Sequence, residues 1–176
     1  LEANLIKKYQ PYYNTKEKDD KSFNCIVITK ESFPRVLLVR QKDIDTRTKT
    51  SSIPKEKSRV IYDVFFGPYP SGSSLREALG IIRRIFPFRD RVSAMKDKEI
   101  FYRQIELAPD VSSSEAAKIY RKNIGHIKKI FQGKLQVLIK ELKRDMNAAA
   151  KKLHFEVAEE LKHKVFALEH VQDVSL

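Results

Sequence analysis

The chain has 176 residues, 41% hydrophobic and 33% charged, with a net charge of +12. That length and apolar content support one or two small domains with a genuine core and exclude a wholly disordered chain. No apolar run approaches the roughly 20 residues of a bilayer span, and a single cysteine, Cys25, excludes a disulfide framework or a cysteine-only zinc or iron–sulfur site within one chain. Four scattered histidines argue against a histidine-rich metal site. With no secretory signal, the expected compartment is the reducing cytoplasm, with no membrane partner.

The surplus charge is concentrated at the front. Gln132 to Leu176 is nearly balanced, so almost all of it lies on Leu1 to Phe131. Phosphate backbone is the commonest partner of such a surplus, although solubility alone explains a basic domain equally well.

In chain order, Leu1 to Tyr9 reads as a helix stopped by Pro11. Phe23–Thr29 and Val36–Arg40 are short β-rich runs on either side of Phe33-Pro34, expected to pair antiparallel. Residues 41–59 are polar and non-periodic and read as a mobile loop. Val60–Phe66 is a third strand, closed by Gly67-Pro68-Tyr69-Pro70. Ser73 or Ser74 can cap a helix over Leu75, Leu79, Ile82, Ile85 and Phe86 that stops at Pro87. Weak strand character follows at Ile100–Ile105.

Ser112 to Glu115 has the form of a capping box, opening a helix through Phe131. Beyond Gly133 there is no glycine or proline. Leu135, Leu138, Leu142, Met146, Ala149 and Leu153, then Ala158, Leu161, Val165 and Leu168, form a seam at spacings of three and four. Periodicity does not decide between one long helix and a hairpin. Either form needs a partner to cover its apolar stripe.

The fold class is therefore α+β: a short antiparallel sheet with helices, then an all-helical C-terminal region. Several residues could meet DNA. Tyr69 either stacks on a base or covers the core edge, and Arg76 could reach a phosphate. Arg83, Arg84, Arg89 and Arg91 surround one helix end, where they also suit its dipole. Tyr120, Arg121, Lys122, Lys128 and Lys129 read as a solvated helix face, Asp19-Asp20 as a solvated turn, and Cys25 as a buried structural thiol.

Five motifs in order resemble the UvrC family, the nuclease subunits of the bacterial excinuclease. They are LEANLIKKYQPYYN (Leu1 to Asn14), Asp19-Asp20-Lys21, Phe33-Pro34-Arg35, Phe66-Gly67-Pro68-Tyr69-Pro70, and a tail with Gly133, Met146, Ala149 and Leu153 to Glu156. The resemblance implies three parts: residues 1–22 as the end of a GIY-YIG nuclease domain, 23–131 as an α+β linking domain, and 132–170 as a UVR helical hairpin. Starting at Leu1 rather than Met, the chain looks like a piece of something longer, expected to bind rather than cleave by itself.

By the same resemblance, Glu2 matches the family's metal-binding glutamate and Asn14 its site-lining asparagine. A divalent cation, magnesium or manganese, belongs to the complete nuclease domain, and a carboxylate oxygen is the ligand such a hard ion prefers. The family's four cluster cysteines fall at or near Arg91, Ile100, Ala108 and Ser112, none of which offers a thiolate, so no iron–sulfur cluster is expected. The implied partners are damaged double-stranded DNA and the C-terminal helical hairpin of UvrB. Met146, Leu153, Phe155, Glu156 and Leu161 would meet that hairpin, with Phe155 as its anchor. Lys162-His163 and Glu159 depart from the family's usual Arg-Asp and Ala. The rival reading is a non-enzymatic UVR-motif adaptor that docks another protein.

Overall fold

The computed structural model describes residues 23–53, 58–90 and 113–173. Glu2, Asn14, the helix before Pro11, Asp19-Asp20, the strand character at Ile100–Ile105 and the four cysteine-equivalent positions lie outside them.

Five strands form an antiparallel sheet: β1 (Asn24–Thr29), β2 (Val36–Arg40), β3 (Ile44–Asp45), β4 (Thr50–Ile53) and β5 (Ser58–Tyr69), in the order β2-β1-β5-β4-β3. The interior strand β1 is buried along its whole length, which is why Cys25 to Ile28 is a continuous apolar run rather than an alternation. Its register sorts side chains between two cores. Ile26 lies opposite Leu38 and Ile28 opposite Val36, on the face that meets the helices. Cys25 opposite Val39 and Val27 opposite Leu37 form a second core with Ile53 and Tyr62. A slip of one residue would exchange the two sets. All five strands line the second core, so the sheet curls upon itself, helped by register irregularities between β1 and β5. Cys25 is fully buried there, and burial pushes its thiol above the usual range.

The expectation of a mobile loop over 41–59 is corrected: this segment holds a 3-10 turn (Gln41–Asp43), β3, β4 and the start of β5. In β4 the inward positions are Ser51 and Ile53, so half of the buried face carries a small polar side chain and the hydrophobic alternation is lost. Asp45 closes the β3–β4 turn by accepting from the backbone N–H of Arg47 (2.9 Å) and Thr48 (3.3 Å). The third strand also runs further than expected, through Gly67-Pro68 to Tyr69.

Helix α1 (Gly72–Ile85) follows, capped by Ser71, whose hydroxyl accepts from the Ser74 N–H, one turn earlier than Ser74 would place it. It buries Leu75, Ala78, Ile82 and Ile85 and ends at Phe86 before Pro87. Helix α2 (Ser114–Phe131) is capped by Ser113, whose hydroxyl accepts from the Ala116 N–H, which corrects the expected capping box ending at Glu115, and it stops where Gly133 takes φ +73°. Helices α3 (Leu135–Lys151) and α4 (Phe155–Asp173) form a hairpin. Most of the seam is as expected: Leu138, Leu142, Val165 and Leu168 are buried, with Leu135 and Leu161 partly so, but Leu153 is corrected, since it lies exposed in the turn between the helices. The expectation that the stripe needs a partner to cover it is corrected, because the hairpin packs against the rest of the chain. Its buried residues belong to one continuous core with Ile26, Leu75, Ile82 and Ile127.

Tyr120 corrects the expectation of a solvated face on α2. It is 1% exposed, and its hydroxyl donates to the Pro34 carbonyl while accepting from the Arg89 N–H at 3.2 Å. Lys122, Lys128 and Lys129 do point outward, but each is paired: with Asp145 of α3, Asp63 of β5 and Glu141 of α3.

Candidate docking site on the helical hairpin

The hairpin turns over three residues, Lys152, Leu153 and His154, without glycine or proline. The turn is made by Leu153 itself, at φ +61°. Its N–H donates to the Ala150 carbonyl (3.0 Å) and that of His154 to the Ala149 carbonyl (3.0 Å), closing the end of α3. A leucine in the left-handed region costs about 1 kcal/mol or more relative to glycine, and with 72% of the residue exposed, little packing offsets this.

Around this tip lie large apolar side chains in water. Phe155 is 65% exposed, with Val157 and, about three turns further along α4, Phe166 also exposed. Exposed aromatics at a helix tip rimmed by charge are the composition of a docking surface. Of the residues expected to meet a partner, Leu153, Phe155 and Glu156 are exposed together at the tip. Met146 and Leu161 are half-buried, and Leu161 packs against the main core. Val157 and Phe166 escaped the sequence reading because the seam pattern draws the eye to the inner face. Glu159 and His163, two of the positions that depart from the family pattern, sit beside each other, with His163 Nε2 at 3.9 Å from Glu159 Oε1.

Leu153→Gly is expected to raise stability by about 1 kcal/mol, because the turn keeps its backbone bonds and loses its unfavourable dihedral. A higher urea midpoint with unchanged helicity checks this. A lower midpoint would mean that the leucine side chain, not the turn geometry, holds the tip.

The residues expected to meet DNA occupy varied settings. Tyr69 is half-buried, its ring edge-on to Phe131 at 6.5 Å, and burial raises its phenol above the usual range. Arg76 and Arg84 are exposed, two turns apart on the outer face of α1, with Gly80 open to solvent between them. Arg83 instead turns inward. It pairs with Asp90 at 2.7 Å and lies over the Phe88 ring, 4.4 Å from its centroid. Arg89 is half-buried, with its carbonyl accepting from the Val36 N–H. Among the described residues, no group of three or more histidine, cysteine or acidic side chains is placed to hold a metal. No described helix is long and apolar enough to cross a membrane.

This hairpin is of the UVR type: residues 136–171 match the model of the UvrB/uvrC motif, which coincides with α3 and α4. Curated relatives extend the match to the whole chain. UvrABC system protein C of Cyanothece sp. is 35% identical over 182 residues, covering 100% of this chain and 27% of that protein. The protein of the same name from Trichormus variabilis is 36% identical with the same coverage, and that of Caldanaerobacter subterraneus is 35% identical over 98% of the chain and 27% of its own length. The chain belongs to the UvrC family and spans about a quarter of the length of these relatives. No solved structure matches it significantly.

Proposed function

We propose that the chain serves nucleotide excision repair as part of a UvrC-type subunit, docking through its hairpin tip on the C-terminal helical hairpin of UvrB and contacting damaged duplex DNA. The observation that carries this reading is the exposed Leu153–Phe155 tip on a UVR-type hairpin whose inner seam is already filled by its own core. A filled seam leaves the tip as the apolar surface of the hairpin where two large side chains stand exposed together, and a homologous hairpin offers a matching apolar stripe. The net charge of +12 supports the nucleic-acid partner.

In the complete subunit, Glu2 would give a carboxylate oxygen to a magnesium or manganese ion and Asn14 would line that site, with incision of the damaged strand as the activity served. The linking domain is held by packing, without an iron–sulfur cluster, and the compartment is the cytoplasm.

Calorimetric titration of the chain with the UvrB hairpin tests the docking. Saturable binding of about one to one is expected, with Phe155→Ala weakening it by about 2 kcal/mol or more. Because Phe155 is 65% exposed, the same substitution should leave the urea midpoint nearly unchanged. Unaltered affinity in Phe155→Ala would remove the anchor. Absence of binding at micromolar concentrations would move the reading to an adaptor with another partner.

A further inference from the structure

The near-neutrality of the tail conceals a division of charge between its two helices. Helix α3 carries Lys140, Lys143, Arg144 and Lys151 against Glu141 and Asp145, whereas α4 carries Glu156, Glu159, Glu160, Glu169 and Asp173 against Lys162 and Lys164. Both acids of α3 face α2, where Glu141 pairs with Lys129 and Asp145 with Lys122. The outer face of α3 is consequently rich in cations, with Glu169 of α4 and the edge of Asp145 as the acids that reach it.

Lys140, Lys143, Arg144, Asn147, Ala148 and Lys151 line one open groove along it. The cations recur at spacings of three, four and seven, so they form a stripe about 16 Å long at 1.5 Å per residue. Lys143 is steadied by Glu169 of α4 at 2.8 Å, and Arg144, 79% exposed at the middle of the stripe, lies 3.5 Å from the Asp145 carboxylate at its edge.

We propose that this face of α3 is a contact surface for the phosphate backbone of duplex DNA. The inference deepens the DNA contact in the reading above and rests on it, while placing that contact on the hairpin instead of on α1. A straight row of cations suits a linear polyanion, and duplex DNA presents one charge per ~1.7 Å of its axis. Arg144 supplies a planar fork for a phosphate, and Asn147 a neutral hydrogen-bonding group beside it. An acidic protein partner fits less well. Protein interfaces centre on apolar anchors, and this groove offers only Ala148, with Val137 exposed beyond its N-terminal end and the exposed aromatics of the hairpin on α4.

The test uses the full chain and a fluorescently labelled duplex of roughly 20 base pairs, titrated by anisotropy at several salt concentrations. The triple variant K140Q/R144Q/K151Q is compared with R47Q/K49Q/K118Q, which loses the same net charge from the β3–β4 turn and the first turns of α2. Each lost phosphate contact removes about 0.9 from the slope of log K against log salt, so the α3 variant should lose about 2 to 3 in slope. Its affinity should fall tenfold or more at about 0.1 M salt, and the comparison variant's much less. Helicity and urea midpoint, measured alongside, show whether both variants are folded. If the α3 variant misfolds, the single variant R144Q decides through its slope, which must fall by about 1.

Equal losses in the two triple variants would overturn the inference while leaving a DNA contact elsewhere. Competition by heparin as effective as by unlabelled duplex at equal charge would overturn it in favour of a general polyanion surface. A wild-type chain that binds the UvrB hairpin but no duplex would overturn it and leave the partner dock standing. A chain that binds neither would overturn both.

Discussion

Tyr120→Phe is expected to destabilise the chain by about 2 kcal/mol, and Tyr120→Ala by about 5 kcal/mol. Phenylalanine keeps the ring, which is buried in the main core with Phe33 at 6.1 Å. It removes only the hydroxyl, which joins three separate pieces of chain: the β1–β2 turn through the Pro34 carbonyl, the segment after α1 through the Arg89 N–H, and α2 itself. Losing it leaves a donor and an acceptor half-buried without that partner, and each costs on the order of 1 kcal/mol when water reaches it incompletely. Alanine adds the cavity of a whole ring, a loss comparable to the entire stability of many domains of this size.

Burial raises the phenol to about 12, so the hydroxyl keeps its proton and donates throughout the neutral range. Urea unfolding of the three proteins measures both numbers. A Phe variant within about 0.5 kcal/mol of the parent would mean that the ring alone, not the hydroxyl, holds these segments together.

Tyr120 also shows why part of this fold was hidden in its sequence. It stands beside Arg121 and Lys122, and that local polarity reads as a wet face. Its actual position is set by contacts 86 and 31 residues away in the chain, which no local pattern encodes. The strands 24–29 and 36–40 were legible because burial on both faces gives them short continuous apolar runs. The strand 50–53 was not, since serine fills an inward position and the pairing is held by backbone bonds and an aspartate turn.

The hairpin divides the same way. Its seam is plain in the spacing of leucines, but its turn is made by Leu153 in a left-handed conformation that the sequence does not announce. Only the motif resemblance pointed to a turn at that place. Among the residues expected to meet DNA, Arg83 has a local partner, Asp90, that was visible seven residues away. The basic stripe of α3 went unseen because averaging charge over the whole tail cancels two helices of opposite sign.

Stability is expected to decline as pH falls from about 6.5 to about 4, and His126 accounts for the loss in the upper part of that range. His126 lies on the inner side of α2, 8% exposed, with its ring 5.0 Å from that of Phe86 and its Nδ1 without a hydrogen-bond partner among the described residues. Burial is the main reason its pKa is lowered to about 4, aided by Lys122 and Lys129 on its own helix and Lys164 on α4, and opposed by Glu141 on α3. In the unfolded chain the imidazole titrates near its ordinary value of 6.5. Between the two values the unfolded chain holds one proton more than the folded chain, so stability rises with pH across this window and falls as acid is added.

The contribution is fully present above about pH 6.5 and fully lost below about 4. It amounts to about 2 kcal/mol after allowance for solvent reaching part of the ring. Carboxylates held low by lysines, Asp63 by Lys128 and Glu141 by Lys129, lose their own contributions only below their ordinary values of 3.8 and 4.5. The interval from pH 6.5 to 5 therefore isolates the histidine from them. Urea midpoints measured across that interval should slope downward with acid in the parent, and His126→Leu, which keeps the volume and removes the titrating group, should flatten most of the slope. An unchanged slope in His126→Leu would place the titrating group elsewhere and leave His126 as a packing residue whose Nδ1 finds a water.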